Sequence, residues 1–283
     1  MAIKRKKQSF VVVIPNFEDI FHSFYACEII KGVSLGASPL KVDLLIHITD
    51  RFNHREWLDS FLLDKNYIDG ILFADIDQDI NVVKKVIDRG MPYLVLNNVL
   101  NNAMNYIAVD NRKAAFDLVE YLIKHGHTKI ATIAGDLTTQ SGQMRLEGYY
   151  EALAKHGIRP AKNYVTRGDF LRTPARIAAK KILNLKDRPT AIFAASDVMA
   201  LELMDIAKEL NISVPSQLSV IGFDDNPLNR TSSIKLTTVY QPLVEMGRSG
   251  LEHLYQISKG KAQLPVKILL PTKFVVREST QVL

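Results

Sequence analysis

Two sequence patterns alternate along almost the whole of this chain, and that alternation constrains its fold more than any other feature. Short runs rich in β-branched residues occur at 10–15, 42–48, 68–73, 92–96, 129–134, 164–168, 191–195 and 217–223. Between them lie amphipathic stretches of helical spacing at 54–65, 79–89, 111–125, 141–156, 174–185 and 197–210. Strands alternating with helices predict parallel sheets covered by helices on both faces. So many strands are too many for one compact sheet, and 283 residues at about 150 per domain predict two lobes. A further helix at 243–259 and extended segments at 236–242 and 266–278 come late enough to complete both. The chain is then expected to cross between them more than once.

The ends of the helical stretches support this reading. Lys124-His125-Gly126 and Lys155-His156-Gly157 each place a cation in a last helical turn and a glycine just beyond. Cations there complement the helix dipole, and glycine takes the left-handed closing conformation. Asp79 and Asp197 precede apolar helical runs and suit N-caps.

A lone cysteine, Cys27, cannot form an internal disulfide, which fits a reducing compartment. The basic start Lys4-Arg5-Lys6-Lys7 before Phe10 imitates a signal peptide, but Asn16, Glu18 and Asp19 end the apolar run too early. A cytoplasmic chain without a membrane span is expected. Its net charge of +6 comes from 36 Lys and Arg against 30 Asp and Glu. Without those four cations the balance is 32 against 30, so the basic character is largely a terminal stub. Such a run is either solvated chain or the remnant of a linker to a nucleic-acid-binding part.

Catalytic signatures are missing. The sequence holds no glycine-rich dinucleotide fingerprint, P-loop, nucleophile elbow or zinc-protease helix. Seven histidines are scattered, and only His125 and His127 lie close together. No metal, no cofactor and no enzymatic activity are expected. Cys27 reads as packed core rather than as a nucleophile.

The informative residues stand at the carboxyl ends of the expected strands, the edge where open α/β sheets bind ligands. They are Asn16, Asp50, Asp75, Asn97, Asp136, Asp169-Phe170, Ser196-Asp197 and Asp224-Asp225. Turn and cap preferences explain about half of them. Their convergence on one edge still points to a polar, hydroxylated ligand, with Phe170 offering a stacking face and Arg145 a planar fork of donors.

An ordered series of motifs resembles the effector domain of LacI/GalR-type transcriptional regulators. Ile107-Ala-Val-Asp-Asn111, Lys124-His-Gly-His-Thr-Lys-Ile130 and Arg145-Leu-Glu-Gly-Tyr149 come first. Pro189-Thr-Ala-Ile-Phe193, Ser196-Asp-Val-Met-Ala200, Ser219-Val-Ile-Gly-Phe-Asp-Asp225, Leu236-Thr-Thr-Val-Tyr-Gln-Pro242 and Val275-Val-Arg-Glu-Ser-Thr280 follow. The resemblance runs from about residue 10 to 280. It implies a periplasmic-binding-protein-like fold of type I: two doubly wound parallel-sheet lobes joined by three crossovers, with a small effector between them. The implied division is a linker remnant at 1–9, an N-terminal lobe of 10–109 and 241–266, and a C-terminal lobe of 110–240 and 267–283.

Carried over position by position, the resemblance assigns effector binding to Phe24 or Tyr25, Asn97, Asp110, Ser141, Arg145, Phe170, Ser196, Asp224 and Gln241. Asn97 and Ser196 are less acidic than the family pattern, which makes a simple hexose a weaker expectation. The stretch 16–23 is a few residues longer than usual, which leaves the choice between Phe24 and Tyr25 open. The family's helix-turn-helix and hinge helix have no counterpart before Phe10. Lys4 to Gln8 resembles the end of the hinge linker, so operator DNA is expected to be reached only through a segment these residues lack. A homodimer is also implied, paired through the 197–210 helix with Leu201 at its interface. The apolar residues of that helix spread beyond the single stripe that one sheet needs, through deeper burial in the lobe or through a subunit contact. A solute-binding protein of a sugar transporter is the alternative on the same fold.

Overall fold

The structure is a computed structural model describing residues 7–15, 20–21, 23–49, 64–76, 80–100, 103–230 and 232–283. Residues 54–63 of the expected helix at 54–65, the cap at Asp79, the edge residues Asn16 and Asp50, and the basic stub from Lys4 to Lys6 lie outside them. Two compact units emerge, 1–109 with 242–270 and 110–241 with 271–283. The backbone therefore passes from one unit to the other three times.

The first unit is built on a six-stranded sheet. Its strands are β1 (Ser9–Pro15), β2 (Asp43–Thr49), β3 (Gly70–Ala74), β4 (Tyr93–Leu96), β5 (Tyr106–Ala108) and β11 (Lys267–Leu269), in the order β11-β5-β4-β3-β1-β2. Every pairing is parallel. Successive strand residues face opposite sides, which explains the continuous apolar runs. Phe10, Val12, Ile14, Leu72 and Leu94 pack with α1 (Phe24–Leu40) and α7 (Leu243–Ser258). Val11, Val13, Ile71, Phe73 and Val95 pack with α2 (Ile80–Asp88) on the other side. Helices α1 and α7 cross at glycine. A methyl group added at Gly32 would overlap the Val244 carbonyl, and one at Gly247 the Ile29 carbonyl.

The second unit carries β6 (Ile130–Ala134), β7 (Val165–Arg167), β8 (Ala191–Ala194) and β9 (Ser219–Ile221) in the parallel order β7-β6-β8-β9. Helices α3 (Asn111–Lys124) and α4 (Gln140–Lys155) cover the face of Ile130, Phe193 and Ile221. Helices α5 (Arg172–Leu183) and α6 (Asp197–Glu209) cover the face of Ala131, Ile133, Ile192 and Val220. The C-caps of α3 and α4 are His125 and His156. Gly126 and Gly157 follow with positive φ, as the sequence predicted.

Three expectations need correction. The late extended segments do not all join the parallel sheets: β10 (Thr238–Tyr240) and β12 (Lys273–Val275) form an antiparallel ribbon. Single bridges, Ile221 to Thr237 and Asp224 to Tyr240, tie this ribbon to the edge beyond β9. Residues 267–269, expected in the C-terminal lobe, are strand β11 of the first sheet, while Gln241 belongs to the second unit. Asp197 is not an N-cap. Ser196 caps α6 by accepting from the Met199 amide at 3.4 Å, and Asp197 is the first helical residue.

Most of the apolar width of α6 is used inside its own unit. Met199, Ala200, Leu203, Met204, Ile206 and Ala207 are buried, whereas Val198 and Leu201 are half-buried and Leu210 is exposed. Glu202, buried on the same helix, is held by Arg172 at 2.7 Å and Arg176 at 2.9 Å from α5.

Candidate functional site

In the second sheet the chain leaves β6 for β7 on one side and then returns to β8 on the other. The carboxyl ends of β6 and β8 therefore border a topological switch point, where open α/β sheets hold ligands. Helix α4 follows β6, so its first turns bring Ser141 and Arg145 to this place. The α4 cap itself is Thr139, whose hydroxyl accepts from the Gly142 amide at 3.1 Å and lies 3.2 Å from the buried Ser141 hydroxyl.

Arg145 is the hub of the site. Its side chain is only 5% exposed, and a buried guanidinium requires partners. Nε donates to Asn111 Oδ1 at 2.9 Å and Nη1 to the Ala195 carbonyl at 2.6 Å. The Asp224 carboxylate lies 3.6 Å from Nη1. The guanidinium lies 3.7 Å from the centre of the Phe223 ring and 5.6 Å from that of Phe170, within cation–π range.

Asp224 Oδ1 also accepts from Gln241 Nε2 at 2.6 Å. Burial pushes the Asp224 carboxyl upward, and the Arg145 charge works against that rise. Neighbouring Asp197 is fully buried. It accepts from the Thr238 hydroxyl at 2.6 Å, the Asn226 amide at 2.7 Å and Asn229 Nδ2 at 2.6 Å. Burial raises its pKa first, and the nearby Asp224 charge raises it further. Its three partners belong to the unit, so it ties α6, residues 226–229 and β10 together rather than facing a ligand.

Backbone strain concentrates at these edges. Among the described residues, six of the eight non-glycine positions with positive φ are Asp75, Asn97, Asp169, Phe170, Asp224 and Asp225. Each follows a strand at its carboxyl end. Left-handed backbone in a residue with a side chain costs on the order of 1–3 kcal/mol and gathers at functional sites. Phe170 owes its position to that strain and to Gly135, where an added methyl group would overlap the ring.

The structure brings Ser141, Arg145, Phe170, Ser196, Asp224 and Gln241 to this one edge, but their roles differ. The Ser196 hydroxyl is engaged as a helix cap. Asp110 is exposed and caps α3 by accepting from the Lys113 amide at 2.9 Å. The buried side chain at that point is Asn111, the residue holding Arg145 Nε, which sequence reasoning missed. Only the phase of α3 decides which of the pair turns inward, and the dipeptide alone does not reveal it. In the first unit, Asn97 sits buried after β4, and its Oδ1 has no hydrogen-bond partner. Phe24 and Tyr25 open α1 behind the Ser23 cap, and both pack partly against the core of that unit. Among the described residues no group of three or more His, Cys, Asp or Glu could hold a metal ion.

Known proteins share this architecture. The family described as a periplasmic binding protein-like domain matches residues 119–280. The HTH-type transcriptional repressor CytR of Escherichia coli strain K12 is 32% identical over 284 residues, covering 99% of this chain and 81% of that protein. The chain belongs to the LacI/GalR family of transcriptional regulators. Its effector domain is of the periplasmic-binding-protein-like type. A solved structure described as the transcriptional regulator CelR in complex with cellobiose superposes with a TM-score of 0.88 at 28% identity, covering 99% of this chain and 86% of that one. A lac repressor dimer bound to operator and the anti-inducer ONPF gives 0.87 at 25% identity, covering 98% and 96%. These relatives are regulators rather than enzymes, and they do not favour the transporter alternative.

Proposed function

We propose that this chain is the effector-sensing and dimerising region of a LacI-type regulator, acting in the cytoplasm. A small polar ligand, a sugar or sugar derivative, binds one arrangement of the protein better than another and so shifts the population that engages DNA. The observation that carries this reading is the buried Arg145–Asp224–Gln241 assembly beside Phe170 at the switch point of the second sheet. Such an assembly is costly to bury and supplies the directional groups that recognise hydroxyls. The cellobiose bound by CelR supports the ligand class, and the operator-bound lac repressor dimer supports the output.

Ser141 and Ser196 border the same edge, and the family resemblance assigns Asp110, Phe24, Tyr25 and Asn97 to effector binding as well. Leu201, half-buried on α6, is the proposed dimer contact. A thermal-shift screen of sugars tests the proposal. A ligand at 100 times its dissociation constant stabilises the fold by about 2.7 kcal/mol, a rise of a few degrees for a chain of this size. Absence of a shift from every sugar, with nucleobases or amino acids shifting instead, would contradict the ligand class.

A further inference from the structure

All strands of the first sheet run parallel and therefore begin along one edge, and α1, α2 and α7 each end shortly before one of those starts. This amino edge is basic. Lys7 and Asp43, 3.6 Å apart, balance in charge, as do Lys85 and Asp88 in the last turn of α2. Beyond these pairs stand Lys41, Lys65, Arg89, Lys259, Lys261 and Lys267, all exposed. Among the described residues of the edge, the further acids are Asp64 and Asp69, which accept from the Asn66 and Ser9 amides.

Helix dipoles account for Lys41, Arg89 and Lys259, which close α1, α2 and α7. They do not account for Lys65 and Lys261, which lie between elements, or for Lys267, which begins β11. The residues after the strands have the opposite sign in the sequence: Glu18-Asp19 after β1, Asp50 after β2, and Asp75, Asp77 and Asp79 after β3. The chain also enters the unit through the amino edge, and its entry is fixed. The Gln8 carbonyl accepts from the Asp43 amide at 2.8 Å, and Gln8 Nε2 donates to Ser258 Oγ at 3.2 Å, at the end of α7. The Ser9 amide donates to Asp69 at 2.8 Å. Lys4, Arg5 and Lys6 precede this anchor in sequence, and the resemblance places a regulator's helix-turn-helix ahead of the same point.

Resting on the regulator reading above, we infer that the amino edge of the first unit is a phosphate-facing surface that attracts duplex DNA without reading its sequence. Exposed lysines and arginines displace the counterions condensed on a duplex, a gain that needs no contact with base edges. Cations spread over three helix ends and a strand start suit an extended polyanion better than one small anion. Operator choice stays with the segment ahead of Lys7, while the edge adds affinity and speeds encounter.

Fluorescence anisotropy of the full chain on a short duplex of arbitrary sequence, across a salt series, tests this. Wild type should bind weakly, with affinity falling steeply as salt rises. Lys41→Gln, Lys259→Gln, Lys261→Gln and Lys267→Gln together should weaken binding at least tenfold at low salt and lower the log–log salt slope by about 2–4. The same four positions changed to Arg should bind like wild type. Lys162→Gln, Lys181→Gln, Lys186→Gln and Lys208→Gln, exposed on the second unit, change the net charge equally and should leave binding nearly intact. Circular dichroism melts check that each variant folds. Wild type that binds no DNA, or equal losses from the two sets, would overturn the inference. So would loss of all binding from Lys4→Gln, Arg5→Gln and Lys6→Gln with the edge intact. Polyglutamate bound as tightly as DNA would overturn it in favour of an acidic protein partner. None of these outcomes touches the effector reading, which the sugar screen decides separately.

Discussion

Asp197 shows what a single carboxylate does when it is buried among neutral donors. Its raised pKa means that the native state holds a proton where the unfolded chain has already released it. The unfolded state then binds fewer protons, so stability falls as pH rises from the unfolded carboxylate value, about 3.9. Asp224 is raised by burial and contributes in the same direction. Asp197→Asn removes the first contribution, so chemical denaturation should show wild type losing stability relative to the variant between about pH 4 and pH 7. Parallel curves would refute this. Asp197→Ala leaves the Thr238, Asn226 and Asn229 donors without their acceptor and should cost about 3 kcal/mol or more. Arg145 poses a related problem. Its removal strands the Asp224 carboxylate and should cost about 3–5 kcal/mol of stability, so Arg145→Ala reports on folding as much as on binding. Phe170→Ala is the cleaner probe, expected to weaken effector binding by about 1–2 kcal/mol through lost stacking and burial.

Helices and strands carry two further predictions. At the α1–α7 crossing, a side chain at Gly32 meets backbone rather than a flexible group. Gly32→Ala should therefore destabilise the first unit by about 1–3 kcal/mol in urea unfolding; an unchanged midpoint would mean that the helices move apart freely. On α6, the half-buried Leu201 lies opposite its own copy if the proposed two-fold dimer pairs through this helix. Leu201→Arg then places two like charges at one interface, and sedimentation should show wild type near twice 31.9 kDa and the variant near that mass. A variant that stays dimeric would remove α6 from the interface. Local pattern was enough to reveal β1, β3, β4, β6 and β8, because strands covered on both faces are continuously apolar. It also marked the segments holding β10, β11 and β12 as extended, but not which strands they would join. Their partners are distant in sequence, so the ribbon and the extra edge strand are set by tertiary pairing. The site shows the same limit. Arg145, Phe170 and Asp224 were legible as unusual residue types at strand and helix ends. Asn111 lies 34 residues from the guanidinium it holds, and no local signal announces it.

At the scale of the whole chain, two units share one design: parallel strands, helices on both faces, and polar residues with left-handed backbone at the carboxyl edges. The first unit contributes Asp75 and Asn97 of this kind, and the second contributes the Arg145–Asp224–Gln241 assembly. The measurement closest to the central claim is a calorimetric titration of the best sugar from the screen into wild type, Asp224→Ala and Phe170→Ala. Wild type should bind one ligand per chain. Asp224→Ala should lose about 2–4 kcal/mol of affinity, roughly 30- to 1,000-fold, and Phe170→Ala about 1–2 kcal/mol, with both variants folded by circular dichroism. Two folded variants that bind the sugar as tightly as wild type would place the effector site elsewhere.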